Sequence, residues 1–257
     1  MNRKAAALIL AQVLTSASLP VQAGLDCDVR TGPNTAALVE LYTSEGCSSC
    51  PPADQLLSRL RKSLGPSAQV VPLSLHVGYW DSLGWSDRFA QERFAQRQTW
   101  LVRTHGQRTV YTPQFFVAGA EPQPRRTSLA DSVRRLNEKP ATAAIRLRGA
   151  LSVDGILTLD ANATAQAGSD ATALYLAIAE NGLQSQVRAG ENRGENLAHD
   201  HVVREWLGPF PLRDGATQVR REIRLPSDWR WERLELVAFV QNERTGAVLQ
   251  AAACPGS

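Results

Sequence analysis

Residues 36–64 read AALVELYTSEGCSSCPPADQLLSRLRKSL, and the fold depends on this stretch. The apolar run AALVELY at 36–42 predicts a short buried strand. Beyond it, leucines at helical spacing predict a helix that begins at Pro51, where a missing N–H costs nothing in the first turn. The spaced leucines are Leu56, Leu57, Leu60 and Leu64. The sequence therefore places Cys47-Ser48-Ser49-Cys50 between a strand and the start of a helix.

Alternating strand and helix patterns continue to about residue 140. Val70–Val77 and Gln114–Val117 are apolar runs that predict strands. Ser86–Thr104 has helical spacing with inward-facing aromatic and aliphatic residues, and Ser128 is a typical N-cap for a third helix. This half is typical of an α/β domain.

Short alternating segments follow a boundary expected within Asn137–Thr142, and they predict an all-β sandwich-like domain. Asp154-Gly155 and Asn181-Gly182 each separate two such segments, as in hairpins. We therefore expect domains at 24–140 and 141–257. The expected strands are Ala143–Arg148, Ile156–Ala161, Ala171–Glu180, Gln184–Arg188, His199–Trp206, Gln218–Leu225, Leu234–Gln241 and Ala247–Ala253.

The first 23 residues have the features of a secretory signal peptide. Arg3 and Lys4 precede an apolar stretch at 5–13, and the small-residue ending Val21-Gln22-Ala23 predicts cleavage after Ala23. The apolar run is about half as long as a membrane span requires. The sequence thus predicts a periplasmic or secreted protein with no membrane span once the signal is removed.

Composition narrows the class of protein further. The chain has 257 residues, 43% of them hydrophobic and 21% charged, which excludes disordered and fibrous classes. Its net charge is +3, and since residues 1–23 hold two basic residues and no acidic one, the mature chain would carry +1. So small a charge gives no support for a nucleic-acid partner.

The four cysteines suggest two disulfides in an oxidising compartment. Cys47 and Cys50 lie close together, whereas Cys27 and Cys254 lie near the two ends of the mature chain. The economical pairing joins Cys47 with Cys50 and Cys27 with Cys254. The second bond would be structural, because it would close a loop of nearly the whole chain.

Cys47 and Cys50 are the candidate catalytic residues. The free N–H groups and positive dipole end of a helix N-terminus favour a thiolate. Cys47 is expected to be the exposed nucleophile, and Cys50, one turn on, the thiol that resolves a mixed disulfide. The dithiol itself would be the redox centre, so no cofactor is required.

Three alternatives use the same cysteines. A permanent structural disulfide is one. A zinc site is another, but no second CxxC exists and the only histidines are His76, His105, His199 and His201. The third is a Cu(I) site or metallochaperone, with the two thiolates joined by His76 or His105.

Thr112-Pro113 lies at the junction between a loop and the strand QFFV. A cis bond there would present the Thr112 backbone beside the dithiol, where it could pair with an extended peptide of the partner. A trans proline that merely begins a strand is the alternative.

The order of elements resembles the thioredoxin fold. The stretches VELYTSEGCSSCPPAD, LHVGYWDSLGWSDRFAQERFAQRQ, YTPQFFVAG and AGENRGENLAHDHVVR further resemble the DUF1223 family of exported bacterial proteins. The resemblance implies an α/β thioredoxin-like domain followed by the all-β sandwich-like domain. It also implies a thiol–disulfide site, with Cys47 and Cys50 as the reacting pair and Thr112-Pro113 as the cis-proline position. The Ser-Ser between the cysteines departs from well-known oxidoreductases and leaves the redox direction open.

Several further residues each have more than one candidate role. Trp80 and Trp85, with Tyr79 and Phe89, would wall a substrate groove or form a small core. His76 would assist proton transfer, ligate copper or be a bonded core histidine. Asp81 would be a base or a turn residue, and Glu45 would raise the pKa of a nearby thiol or be solvated.

Two further candidate features lie in the second half of the chain. His199 and His201 would share one face if their segment is a strand, which would allow a metal pair. Because the sequence offers no third ligand, a hydrogen-bonded or exposed pair is the favoured interpretation. The polar loop Glu191–Gly194 is expected to pack against the first domain. We expect a periplasmic thiol–disulfide exchange protein that acts on exported protein partners; the alternatives are the Cu(I) protein and a non-catalytic binding module with a structural disulfide.

Overall fold

The computed structural model describes residues 25–122, 127–166 and 171–255. The expected signal peptide lies outside them. Three α-helices are present in this part of the chain: α1 Pro51–Leu64, α2 Glu92–Thr104 and α3 Leu129–Asn137. The strands are β1 Asp26–Arg30, β2 Ala37–Thr43, β3 Val70–His76, β4 Gln114–Val117, β5 Ala143–Leu151, β6 Ile156–Ala165, β7 Thr172–Glu180, β8 Leu183–Gln186, β9 Asn196–His199, β10 Val202–Pro211, β11 Ala216–Arg224, β12 Leu234–Asn242 and β13 Val248–Cys254.

One seven-stranded sheet contains strands from both halves of the chain. Its order is β13-β12-β7-β10-β3-β2-β4, so β2, β3 and β4 continue directly into strands from beyond residue 170. The junction is a parallel contact of β10 with β3, where Val202 pairs with Ser74 and the Ser74 N–H donates to His201 O at 2.8 Å.

The predicted fold class, an α/β thioredoxin-like domain followed by an all-β sandwich-like domain, is therefore wrong. The described residues form 13 strands in three sheets with three α-helices, a β-rich fold in which the two halves share their central sheet. The physical reason is that the edge of β3 is not free. It pairs with β10, whose backbone groups would otherwise lack partners in the interior.

A second sheet has the order β1-β5-β6-β11 and packs on part of the first. The N-terminal strand β1 pairs with β5 in antiparallel register, and the Cys27–Cys254 disulfide joins it to β13 at the edge of the large sheet. The remaining pair, β8 and β9, forms a small sheet of its own.

Alternation of side chains divides the large sheet into two buried faces. One face packs against α2, through Phe94 and Leu101. The other face is covered by the second sheet on the β7 and β12 side, and by α1 and α3 on the β2 side, where Leu57 and Val133 are buried. The cysteine loop between β2 and α1 thus starts from the strand next to the β4 edge, in a sheet that is covered on both faces.

Most predicted elements are found, with shifted ends. The helix expected from Ser86 begins at Glu92, because the chain is non-helical over residues 85–91, with a turn at Arg88-Phe89. Asp154-Gly155 does connect a hairpin, β5 to β6. Asn181-Gly182 does not, since β8 pairs with β9 and not with β7. None of the helices in the described ranges is long and apolar enough to cross a membrane.

Candidate functional site

Cys47 and Cys50 form a disulfide in the loop between β2 and α1. Cys50 is the N-cap of α1, and its carbonyl accepts from the N–H groups of Ala53 and Asp54 at 2.9 and 3.0 Å. The Ser49 hydroxyl lies 3.3 Å from Cys47 Sγ and is the donor, since a disulfide sulfur carries no proton. The sequence thus builds a hydrogen-bond donor beside Cys47 and a helix N-terminus at Cys50.

The expectation that Cys47 is exposed is wrong, because Cys47 and Cys50 are both 0% exposed. A segment from the second half of the chain covers them. Asn192, 6% exposed, donates its side-chain amide to Glu45 O and to Cys47 O, each at 2.9 Å. Glu191 accepts from Ser48 N at 3.0 Å. The prediction that the polar loop 191–194 packs against the first half is confirmed, and the loop lies directly on the backbone of Cys47 and Ser48.

Trp80 connects the cysteine loop to Thr112. Its indole Nε1 donates to Thr112 Oγ1 at 2.7 Å, and a Cβ added at Gly46 would lie 3.1 Å from Trp80 Cβ. The Thr112–Pro113 bond is cis, as the family resemblance implied. Pro113 lines a pocket of about 240 Å³ together with Tyr111 and Phe115.

Trp85 lies on the other side of the cysteine loop, where its Nε1 donates to Glu45 Oε2 at 2.8 Å. Both Trp80 and Trp85 are partly exposed. They contact two neighbouring residues at the start of the cysteine loop, Gly46 and Glu45, instead of packing only against each other.

Behind the disulfide lies a buried cluster of charged groups. Asp87 accepts from Glu45 N and Phe89 N, each at 2.9 Å, and its Oδ2 is 2.7 Å from His76 Nδ1. His76 is 0% exposed, and its Nε2 has no hydrogen-bond partner among the described residues. His76 is therefore a core histidine held by a carboxylate that also fixes the cysteine loop.

His199 joins this cluster from β9. Its ring lies 4.9 Å from that of His76, its Nε2 is 3.4 Å from Glu45 Oε1, and its Nδ1 is 3.8 Å from Asp54 Oδ2. Asp54 is in the first turn of α1, four residues beyond Cys50. The cluster thus places two imidazoles and three carboxylates against the start of the helix that carries Cys50.

Burial and charge shift the acids of this cluster in opposite directions. Burial raises the pKa of Asp54, and the nearby His76 and His199 offset this only in part. Burial also opposes ionisation of Asp87, but His76 and two backbone N–H groups hold the pKa of Asp87 below its ordinary value. For His76 burial is outweighed by Asp87, Asp54 and Glu45, so that its pKa is raised. Asp54 is thus the carboxyl that keeps its proton to a higher pH than an ordinary aspartic acid.

His199 and His201 do not form a pair. His201 has a left-handed backbone with φ of 58°, lies between β9 and β10, and its Nδ1 is 3.0 Å from Glu235 Oε2. The two rings therefore lie in different clusters, which excludes the metal-pair interpretation. Within the described ranges no three His, Cys, Asp or Glu side chains are placed to hold a metal ion. His105 bonds Leu101 O through Nδ1.

Sequence reasoning missed Asp54 and Asp87. Asp54 could have been found from the sequence, because a residue four positions after Cys50 in a helix lies on the same face as the cysteine. No sequence pattern indicates Asp87, since its role depends on a turn that brings it back to Glu45. Asn192 lies in a segment that had been singled out, but its two bonds to the cysteine loop span 145 and 147 residues of sequence.

Comparison with known proteins gives the family. The sequence model of the DUF1223 family, described as a protein of unknown function, matches residues 38–241. The chain belongs to the DUF1223 family. No curated protein matches the sequence.

Two solved structures share the fold. Protein AGR_C_4864 from Agrobacterium tumefaciens is 24% identical, with a TM-score of 0.60, over 88% of this chain and 97% of that one. HBP35 of Porphyromonas gingivalis is 18% identical, with a TM-score of 0.63, over 86% of this chain and 75% of that one. At these identities the likeness concerns the fold alone.

Proposed function

We propose that this protein is an exported thiol–disulfide exchange protein whose reacting bond is Cys47–Cys50. The observation that carries the proposal is the position of that bond: Cys50 caps a 14-residue helix, and a hydroxyl donates to Cys47. Both features favour the thiolate form of a reduced cysteine. The two disulfides suit an oxidising compartment, which supports export and a periplasmic or secreted location.

The exchange runs in two steps. A thiolate of a partner protein attacks Cys47 Sγ, the Cys47–Cys50 bond breaks, and Cys50 leaves as a thiolate that takes up a proton. A second thiolate of the partner then attacks the partner's sulfur in the mixed disulfide and releases Cys47. The partner's two thiols are oxidised to a disulfide while Cys47 and Cys50 are reduced, and the reverse sequence reduces a partner's disulfide.

Asp54 is the candidate proton source for the leaving sulfur in this scheme. It lies one helical turn from Cys50, it is buried, and its raised pKa keeps it protonated to a higher pH than usual. On the binding side, we assign the partner's segment to the surface beside Thr112 and Pro113, with the pocket next to Pro113 available for a partner side chain. Trp80 and Trp85 would border this segment, because Trp80 donates to Thr112 and both contact the start of the cysteine loop.

Trapping tests the proposal. Cys50→Ser leaves Cys47 without its resolving thiol, so a partner attached to Cys47 stays attached. The variant is expressed with export, quenched in acid and analysed by non-reducing mass spectrometry, with Cys47→Ser as the matched control. We expect partner adducts on Cys47 that are absent from the control. Their absence, when Cys47 is alkylated by N-ethylmaleimide in the same preparation, would refute the exchange function.

The burial of both sulfurs supports a second candidate, a permanent structural disulfide in a binding protein. This candidate predicts that Cys47–Cys50 resists millimolar glutathione and that Cys47→Ala with Cys50→Ala lowers only the thermal stability. Exchange predicts reduction under the same conditions. Measuring the alkylated fraction of Cys47 after equilibration with glutathione separates the two.

A further inference from the structure

The segment that covers the disulfide is a compact loop between β8 and β9, residues 187–195, called here the covering loop. Its backbone is closed on itself: Gly194 N donates to Val187 O at 2.9 Å, and Val187 N donates to Glu195 O at 3.0 Å. Within it, Glu195 N donates to Asn192 O at 3.0 Å. Because these bonds are internal to the loop, they remain when the loop leaves the cysteines.

The loop's polar contacts with residues 45–48 are few and identifiable. The Asn192 amide donates to two carbonyls, Glu45 O and Cys47 O, and the Glu191 carboxylate accepts from Ser48 N. Glu191 itself is exposed to solvent, whereas Asn192 is buried. Gly190 adds an apolar contact, since a Cβ there would lie 3.2 Å from Trp85 Cβ.

These contacts are the ones that a docked peptide would make. Glu45 O accepts from Asn192, and Cys47 O accepts from Asn192 and from Cys50 N at 3.2 Å. Backbone N–H groups of an extended peptide can replace the Asn192 amide as donors, and a backbone carbonyl can accept from the Ser48 N–H. An extended segment of a partner that replaces the covering loop therefore restores the bonds lost at these three backbone groups, whose loss would otherwise be costly.

The closed loop also excludes a nucleophile. With both sulfurs fully buried, no thiolate reaches Cys47 Sγ in this conformation. The carboxylate of Glu191 beside Ser48 adds a negative charge on the approach of an anionic thiolate. Exchange therefore requires that the loop moves first.

We propose that the covering loop is an intramolecular substitute for the partner's peptide and controls access to the Cys47–Cys50 disulfide. The biological purpose rests on the proposed exchange function, but the gating itself does not. The partner would be an extended, cysteine-containing protein segment whose backbone displaces Asn192 and Glu191. The movement is assigned to the covering loop alone, because β9 holds His199 in the buried cluster beside Glu45 and Asp54.

The test measures how fast a small dithiol reduces each disulfide of the oxidised full chain. Dithiothreitol is added, samples are quenched with N-ethylmaleimide, and alkylation of each cysteine is counted by mass spectrometry. Asn192→Ala removes both amide hydrogen bonds and is expected to speed reduction of Cys47–Cys50 by about 5- to 100-fold, the range for two neutral hydrogen bonds. Arg193→Ala, at an exposed position in the same loop, is the matched control and should leave the rate unchanged.

The second disulfide reports on general unfolding. Reduction of Cys27–Cys254 should be equally slow in the parent and in Asn192→Ala. The proposal is overturned if Asn192→Ala changes the Cys47–Cys50 rate by less than twofold, or if both disulfides speed up together. Partner trapping with Cys50→Ser and with Cys50→Ser/Asn192→Ala separates the two ideas. Fast reduction without adducts from either variant would refute exchange and leave the gate, whereas adducts together with an unchanged reduction rate would refute the gate and leave exchange.

Discussion

Arg97 is expected to anchor α2 to the large sheet through a buried ion pair. Its Nε and Nη2 donate to the two Glu40 oxygens at 2.7 and 3.1 Å, and Nη1 donates to Gln241 Oε1 at 2.9 Å. Glu40 is 0% exposed in β2, the strand that leads to the cysteine loop. The guanidinium also lies 4.9 Å from the ring centroid of Trp206. The Glu40 charge in the interior of the sheet is therefore compensated mainly by Arg97.

The perturbation is Arg97→Met, which keeps an apolar stem and removes the charge. Removing one partner of a buried pair leaves the other uncompensated and costs about 3–5 kcal/mol. For a chain of this size, about 2–4 °C of melting temperature per kcal/mol gives a loss of about 6–20 °C. Urea unfolding and thermal melts, both on oxidised protein, would measure these changes.

Two comparisons make the test specific. Arg103→Met, at an exposed position on the same helix, should change the free energy of unfolding by no more than about 0.5 kcal/mol. Adding Glu40→Gln to Arg97→Met removes the stranded charge and should recover part of the loss. A cost below about 1 kcal/mol for Arg97→Met, or no recovery in the double variant, would refute the reasoning.

Three further predictions concern the stability of the fold around the site, through the Cys27–Cys254 disulfide, Asp54 and Gly119. Replacing Cys27 and Cys254 by serine opens a loop of 227 residues and should lower the free energy of unfolding by about 5 kcal/mol on the chain-entropy model, measured by urea unfolding; a loss under 1 kcal/mol would contradict that model here. Because the pKa of Asp54 is raised in the fold, its stabilising contribution is complete below about pH 4 and is lost as the pH rises through the raised pKa. Asp54→Asn should therefore gain stability relative to the parent as the pH rises from about 4, and parallel urea-midpoint curves for the two proteins would contradict this. Gly119→Ala would place a Cβ 1.8 Å from Gly246 O at a φ of 86° and should cost about 3 kcal/mol, whereas Gly106→Ala, with a similar φ and open space, should cost only the backbone strain; equal melting temperatures for the two would contradict the packing argument.

Local signals predicted the elements that hold the site. Pro51 and the leucine spacing placed α1, and the apolar run before the cysteines placed β2, because helix and strand periodicities depend on neighbouring residues. Both disulfide pairings were also predicted correctly, from the positions of the four cysteines alone.

The error in fold class has a physical source. The segments before and after Pro140 have different local patterns, and a change in pattern suggests separate domains. Sheet pairing does not follow such patterns, since any strand edge with free N–H and C=O groups can accept another strand. The contact of Val202 with Ser74 joins residues 128 positions apart. Neither segment contains a local pattern that predicts this pairing.

The sequence by itself determined the secondary structure, the family and the two candidate redox cysteines, because each is encoded in short patterns or in residue types. Only the tertiary structure decided that both halves share one sheet, that Asn192 donates to the backbone of Cys47, and that His199 and His201 belong to different clusters. These features arise from contacts between distant segments, whose geometry is set by packing of the whole chain and not by local periodicity.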